Sequence, residues 1–485
     1  MPDYPAHLAT FYLIAEGGKS GLLAQFYHVH WAAVPNLASE VLVPLLARIV
    51  TLATATKIFL SLVVLMWVLG AGAVHKALYG RMGLAPVFGG LFAYNANFMW
   101  GFFNFCFATG LAFLVFAAWI ADTRRRSPWH LAAYAAAILL IYFAHVFAAA
   151  LLLLLLGCLE FSALPLPLSL SALASRTVPI VAVATPAVAA FLLRPHGAGG
   201  AVTFNLLDTI DDRLSAALQF TFDRPAYEVL AFVVVLLGAG LWRKRIVLDR
   251  RLKWPLIVLL IACIFAPEWA MGGWGVDLRL PAVLGALTFA AADFRFAWRT
   301  TAALACVAAL LVSYQSATLA GNWIYYDRRF VEFRAASADI PMGSKVLTVL
   351  DGDSIGLAAD QPYWHMAEYS IIDRAAFTPL LFATKGQHVI QLQPQVVPIA
   401  AHTAQQGSPP DISELDDLAA GDIDGDTDIR DVFPYLMRFQ CHFDIAVVVH
   451  LAGHRSPVPA MLALLHPGSF FSLYRIRPGN GCAGR

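Results

Sequence analysis

Residues 129–163 read WHLAAYAAAILLIYFAHVFAAALLLLLLGCLEFSA, an almost unbroken apolar run with His145 near its middle. As one tilted helix this run crosses a membrane once; as two helices it makes a hairpin. The flanking charges arbitrate, because Lys and Arg accumulate in cytoplasmic loops. Four basic groups separate the apolar runs: Lys76 with Arg81; Arg124–Arg126; Arg243, Lys244, Arg245, Arg250, Arg251 and Lys253; and Arg295 with Arg299. One helix would put the 243–253 group on the opposite side from Arg124–Arg126. Two helices meeting near His145 put all four groups on one side, and we adopt that reading.

Further runs suited to spanning helices lie near 55–75, 84–96, 102–121, 177–193, 227–241, 254–270, 280–294 and 300–319. With 129–144 and 145–163 they make about ten spans, of the order of the length that matches the hydrocarbon layer. Composition agrees: 59% of residues are hydrophobic and 13% charged, and the mean hydropathy is +0.66. Soluble domains hold about half apolar and about a quarter charged residues. A net charge of +1 and the lack of a basic stripe on any soluble element argue against a nucleic-acid partner.

This topology places 1–54, the 194–226 loop, 271–279 and everything after about 320 on the extracytoplasmic face. In a bacterium that means a multi-pass protein of the inner (cytoplasmic) membrane with a periplasmic C-terminal domain. Pro2 and Asp3 stand where a secretory signal would carry basic residues. Residues 1–54 must then cross the membrane with no helix before them, so a first helix is expected upstream of Met1 in the complete gene product.

From Gly321 the pattern changes. Polar residues, Pro and Gly rise, and short β-type runs appear at Lys345–Leu350, His388–Leu392, Asp444–His450 and Phe470–Ile476. The expected fold is therefore an α-helical polytopic membrane domain at 55–320, preceded by a first extracytoplasmic loop with amphipathic helices at 1–54. An extracytoplasmic α/β domain follows at 321–485. Cys106, Cys158, Cys263 and Cys306 lie in apolar runs as small buried side chains. A Cys441–Cys482 disulfide is chemically permitted on the extracytoplasmic side.

The candidate chemistry begins at Asp3. A carboxylate beside a membrane can act as general base towards a hydroxyl or bind a divalent metal such as Mg or Mn. Asp3-Tyr4-Pro5 also reads as a helix N-cap with Pro in the first turn, and the two roles are compatible. Glu40, on an amphipathic stretch, either faces the same site or is solvated. His28 and His30 share a face when extended and could hold phosphate or a metal, or sit with Tyr27 and Trp31 in an aromatic interface belt. Asn95, Asn97 and Asn104 with Trp100 suit sugar or headgroup hydrogen bonding, or satisfy local backbone groups.

Other features are weaker. His145 is ionisable between two apolar spans, hence functional or interfacial. Asp422, Asp424, Asp426 and Asp428 alternate, but Thr427 and Phe433 break the calcium-loop template at its sixth and twelfth positions, leaving a solvated acidic loop. His365 and Glu368 have i,i+3 spacing, which alone is a slight metal signal. Nucleophile-elbow, P-loop, HExxH and dinucleotide fingerprints do not occur.

Asp3-Tyr4-Pro5-Ala6-His7-Leu8, followed some thirty residues later by Val34-Pro35-Asn36 and an amphipathic helix, resembles the first extracytoplasmic loop of bacterial GT-C-type membrane glycosyltransferases. The motif covers that loop alone; the wider plan of many helices and a periplasmic α/β domain is similar too. The resemblance implies a polyprenyl-phosphate-linked sugar as donor, a lipid or glycan acceptor, and Asp3 as the base that deprotonates it. His7, one helical turn on, could assist, and the cleft is expected between the first loop and the C-terminal domain. The chain departs from the family in lacking an acidic pair beside Asp3. Its Trp323 and Asp327 are separated by three residues, where the oligosaccharyltransferase motif has the pair adjacent.

A phosphate-bearing donor needs cationic partners. Arg194, Arg213, Arg224, Arg279, Arg328 and Arg329 are on the expected side. Arg279, in Asp277-Leu278-Arg279-Leu280-Pro281, stands at a helix start, where it either meets the donor or pairs locally with Asp277. Two other readings compete: a transporter or flippase of a lipid-linked substrate, and a non-catalytic envelope-assembly membrane protein. Transporters more often show matched halves, and no internal repeat is visible here.

Overall fold

The run at 129–163 forms two helices, Pro128–Ala144 and Val146–Ser162, with His145 alone between them in an extended conformation (φ −168°, ψ 124°). The His145 Nδ1 accepts from the Phe147 N–H at 3.2 Å, capping one of the donors that a helix start leaves unpaired. The two helices pack against each other as a hairpin.

The computed structural model describes residues 1–122, 127–164, 167, 169–194, 202–204, 210–219, 226–270, 273–352, 361–402, 407–421, 432–479 and 482. Arg124–Arg126, Arg224 and the acidic run Asp422, Asp424, Asp426 and Asp428 lie outside them. In chain order the first elements are α1 (Tyr4–Glu16), β1 (Tyr27–Val29), α2 (Ala38–Leu46), α3 (Leu52–Tyr79), α4 (Ala85–Gly90), α5 (Ala96–Trp100), α6 (Phe103–Ala121), α7 (Pro128–Ala144) and α8 (Val146–Ser162). Next come α9 (Leu170–Leu193), α10 (Ile210–Ala216), α11 (Tyr227–Trp242), β2 (Ile246–Leu248), α12 (Lys253–Phe265), α13 (Leu280–Ala290), β3 (Ala292–Phe294) and α14 (Trp298–Ala336). The remainder holds β4 (Val346–Asp351), α15 (Tyr369–Arg374), β5 (Ile390–Leu392), α16 (Leu415–Ala420), β6 (Ile445–His450), β7 (Leu462–Pro467) and β8 (Phe471–Ile476). These elements form two compact units: 1–32 with 43–55 and 320–485, and 33–42 with 56–319.

Among the described residues four helices are long and apolar enough to cross a membrane: α3, α6, α9, and α14 with its extension to Asp339. α7, α8 and α11 are apolar but shorter. The run at 84–96, expected as a span, is instead broken. α4 ends at Gly90, a 3-10 turn follows at Leu91–Ala93, and Asn95 starts α5 by accepting from the Asn97 N–H at 2.9 Å. Gly89 lets α13 pass close by, since a methyl there would meet the Ala286 carbonyl at a tight 3.2 Å. The run at 254–270 also ends early, at Phe265, one residue short of the Ala266-Pro267 pair; a residue before proline is pushed out of the helical region. The 280–294 run gives way to β3, which pairs antiparallel with β2.

In the other unit the strands run in the order β4-β6-β8-β7, with β4–β6 parallel and the other pairings antiparallel. VLTVLD and IAVVVH are buried along their whole length, as parallel strands covered on both faces require. Val349 and Val448 look into one apolar cluster, and Leu350 and Val449 into another. β7 was not expected: Leu462-Ala-Leu-Leu lacks β-branched residues, and the edge position tolerates its closing Pro467. The N-terminal stretch is built into this unit. α1 places Ala6, Ala9 and Leu13 in the first cluster and Leu8 in the second, while β1 pairs antiparallel with β5, Tyr27 opposite Leu392.

Cys441 and Cys482 form a disulfide, with Cα atoms 5.2 Å apart. Cys306 is exposed, contrary to its expected burial, because the 298–339 helix has little of its surface covered. Reducing the disulfide should lower stability by about 2–4 kcal/mol, seen as an earlier chemical-unfolding midpoint with reductant than without.

Candidate functional site

The α1 start positions Asp3. Pro5 sets the first helical turn, and the Asp3 carbonyl accepts the His7 N–H at 2.9 Å. The carboxylate makes no cap hydrogen bond, which corrects the N-cap reading and leaves the group to face the core. There its Oδ1 lies 3.8 Å from His365 Nε2, and His365 Nδ1 lies 3.3 Å from Glu368 Oε1. The Asp3 side chain is 13% exposed, His365 4% and Glu368 1%. Burial raises the Asp3 carboxyl to about 6, against the pull of the nearby imidazole. Burial alone would depress His365, but Glu368 and Asp3 outweigh it and hold the ring above its ordinary value.

Around this row Thr378 Oγ1 reaches Glu368 Oε1 at 3.5 Å, and the Thr378 N–H donates to the Tyr27 hydroxyl at 3.0 Å. The Phe382 ring touches His365 at 5.1 Å, His7 at 5.4 Å and His388 at 5.8 Å. His7 therefore stands near the row through Phe382. An acid, an imidazole and a second acid in line, nearly dry, can take up a proton and stabilise a charge. Among the described residues no group of three or more His, Cys, Asp or Glu is disposed to hold a metal.

His28 and His30 are exposed on and beside β1, with His28 opposite Gln391. Tyr27 is a core residue, 4% exposed, and not part of an interface belt.

The other unit gathers Asn97, Trp100 and Arg279 on the 274–279 turn. Asn97 Nδ2 donates to the Leu278 carbonyl at 3.1 Å, Trp100 packs edge-on to Trp274 at 4.9 Å, and Arg279 Nη2 donates to the Trp274 carbonyl at 3.1 Å. Arg279 is buried, and its Nε and Nη1 have no hydrogen-bond partner. The Phe102, Phe105 and Phe147 rings surround its guanidinium at 4.9, 5.7 and 4.9 Å, a partial compensation for a desolvated cation. The local Asp277–Arg279 pair, one of the two readings of this stretch, does not form: Asp277 Oδ2 takes Arg213 Nε at 3.1 Å. Glu40 is not solvated. It is 5% exposed, its Oε2 lacks a partner, and burial raises its carboxyl well above the ordinary value. Asn104 helps to hold its helix, accepting the Ser39 N–H at 2.7 Å.

Two networks carried no sequence signal. One is Arg213–Asp277. The other joins Asp351 Oδ2 to His450 Nδ1 at 2.6 Å and His450 Nε2 to Ser472 Oγ at 2.9 Å. The second has the connectivity of a nucleophile triad. Ser472, however, is 5% exposed within a central strand, so the chain of bonds pins the carboxyl ends of β4 and β6 to β8.

No family model, curated protein or solved structure matches this chain. The functional reading therefore rests on the residues and their geometry.

Proposed function

We propose that the protein is a GT-C-type membrane glycosyltransferase. It would move a sugar from a polyprenyl-phosphate donor to a periplasmic lipid or glycan acceptor, with Asp3 as the base. The observation that supports it most is the Asp3 carboxylate. Its side chain is only 13% exposed, makes no cap bond to its own helix, and lies beside an imidazole paired with a second acid. Burial puts it at about 6, within reach of a base working near neutral pH. The shorter apolar helices α7, α8 and α11 are read as further spans, towards about ten in all, in a bacterial inner membrane. The Cys441–Cys482 disulfide suits a C-terminal portion on the oxidising, periplasmic side.

Taken by itself, the second unit offers Arg279, whose Nε and Nη1 have no hydrogen-bond partner, as a donor group suited to a phosphate. Burial draws this guanidinium down to about 10, so it is charged at neutral pH. Arg279→Gln should weaken binding of a polyprenyl-phosphate sugar by roughly ten- to a hundredfold, the size of a lost charge-assisted hydrogen bond. Direct binding to the detergent-purified protein checks it, and unchanged affinity removes Arg279 from the site. The function is tested by reconstituting the protein in vesicles with polyprenyl-phosphate sugars and following transfer to lipid and glycan acceptors. Movement of the intact donor across the bilayer without transfer would select a flippase instead.

A further inference from the structure

Asp3, His365 and Glu368 raise an electrostatic question that a lone base does not. Glu368 is fully enclosed, and one of its oxygens, Oε2, has no hydrogen-bond partner. A carboxylate in that position is strongly disfavoured unless a cation faces it. The groups that meet its other oxygen are His365 Nδ1 and the Thr378 hydroxyl. The imidazole is nearly as enclosed, at 4% exposed, so its own charge needs an anion on hand. Its second nitrogen looks at Asp3.

We propose that Glu368 and His365 are positioning residues for Asp3: Glu368 keeps the imidazole charged with its Nε2–H aimed at Asp3, and the imidazolium keeps Asp3 ionised inside the core. This rests on Asp3 being the base of the proposed transfer. The geometry carries it, because a ring held at Nδ1 by Glu368 has only Nε2 left to present. Nε2 approaches Asp3 Oδ1 at ion-pair distance, close enough for a full charge to matter in a dry setting. The direction of the His365 shift, upward despite burial, agrees.

The neighbours that bear on the row are few. At and before the start of α1 stand Asp3 itself, the Met1 amino group, which acts on Asp3 and which burial lowers to about 5, so that it is neutral near pH 7, and His7, across the Phe382 ring. His388 stacks on the same ring and is drawn down to about 4 by burial, so it adds no charge near neutral pH. Tyr27 and Tyr435, both within the field of Glu368, are pushed upward by burial and stay neutral.

The test is ring-nitrogen NMR of the full chain in detergent with 15N-labelled histidine, the His365 signals being assigned from a His365→Gln sample. In the unsubstituted protein both His365 nitrogens should remain protonated at pH 7. Glu368→Gln, nearly the same in volume, should cut the proton affinity of His365 about tenfold or more. Asp3→Asn, with the carboxylate nearer solvent and further off, should cut it by less. A neutral His365 at pH 7, or identical titration in Glu368→Gln, overturns the proposal. Should Glu368→Gln fail to fold, Asp3→Asn decides, and an unmoved His365 titration there overturns it equally. None of these measurements uses a sugar donor. A shift as expected in a protein that transfers no sugar would retire the glycosyltransferase reading and leave the charge relation standing.

Discussion

If the protein is the glycosyltransferase proposed above, Asp3→Asn should lower sugar transfer by roughly 10²–10⁴-fold while leaving the fold intact, the range over which a positioned general base contributes. Folding should be spared because the carboxylate caps nothing in α1; the helix start is held by Pro5 and by the Asp3 carbonyl. Burial of an ionised acid in fact opposes folding, so the amide should be neutral or slightly stabilising. The pH dependence follows from the sign of the shift. A base must be deprotonated, and burial raises Asp3 to about 6. Transfer should therefore fall about tenfold per pH unit below that point. An exposed aspartate would keep its activity two units lower. Initial rates in reconstituted vesicles from pH 4.5 to 8 decide between them, and full activity of Asp3→Asn would remove the residue from the mechanism.

Arg213→Met should destabilise the helical unit by about 3–5 kcal/mol, the cost of leaving a buried carboxylate without its cation. Arg213 and Asp277 are 7% and 1% exposed. The same guanidinium also donates to the carbonyls of Cys263 (3.3 Å), Ile264 and Ala266 (3.1 Å) at the end of α12. Those are carbonyls that a helix terminus leaves unpaired, and a cation there also meets the negative end of the helix dipole. One side chain thus ties α10, α12 and the turn before α13 together. The double variant Arg213→Met/Asp277→Leu should recover most of the loss, since two apolar residues leave no charge stranded. Chemical unfolding in detergent measures both. An Arg213→Met midpoint equal to the parent's would show that Asp277 is compensated elsewhere.

The fold was legible wherever an element's character lies in its own residues. The break at His145, the long apolar helices and the strands expected at Lys345–Leu350 and Asp444–His450 follow from local pattern and flanking charge, while the parallel pairing of those two strands comes only with the fold. The 84–96 run misled because apolar length was counted without weighing Gly89-Gly90 and the capping strength of Asn95. β7 was missed because its Leu-rich sequence carries no strand preference and is held only by pairing with β8.

The candidate site was legible in part. Asp3 stood out by motif, and His365 with Glu368 by spacing, but as unrelated features; more than 360 positions separate Asp3 from His365. Side-chain partners at such separations leave no local trace. For the same reason the short pairing of Asp277 with Arg279, plausible on sequence, lost to Arg213, which only folding brings near.

By itself the sequence determined the membrane character, the two-helix reading of 129–163, and the distinct composition after Gly321, because hydrophobic length and charge placement are properties of a stretch. Only the tertiary structure decided that the N-terminal segment belongs with the C-terminal sheet, and that Asp3 points into the core at His365. α1 is apolar on more than one side and must be enclosed to be stable, and what encloses it comes from the far end of the chain.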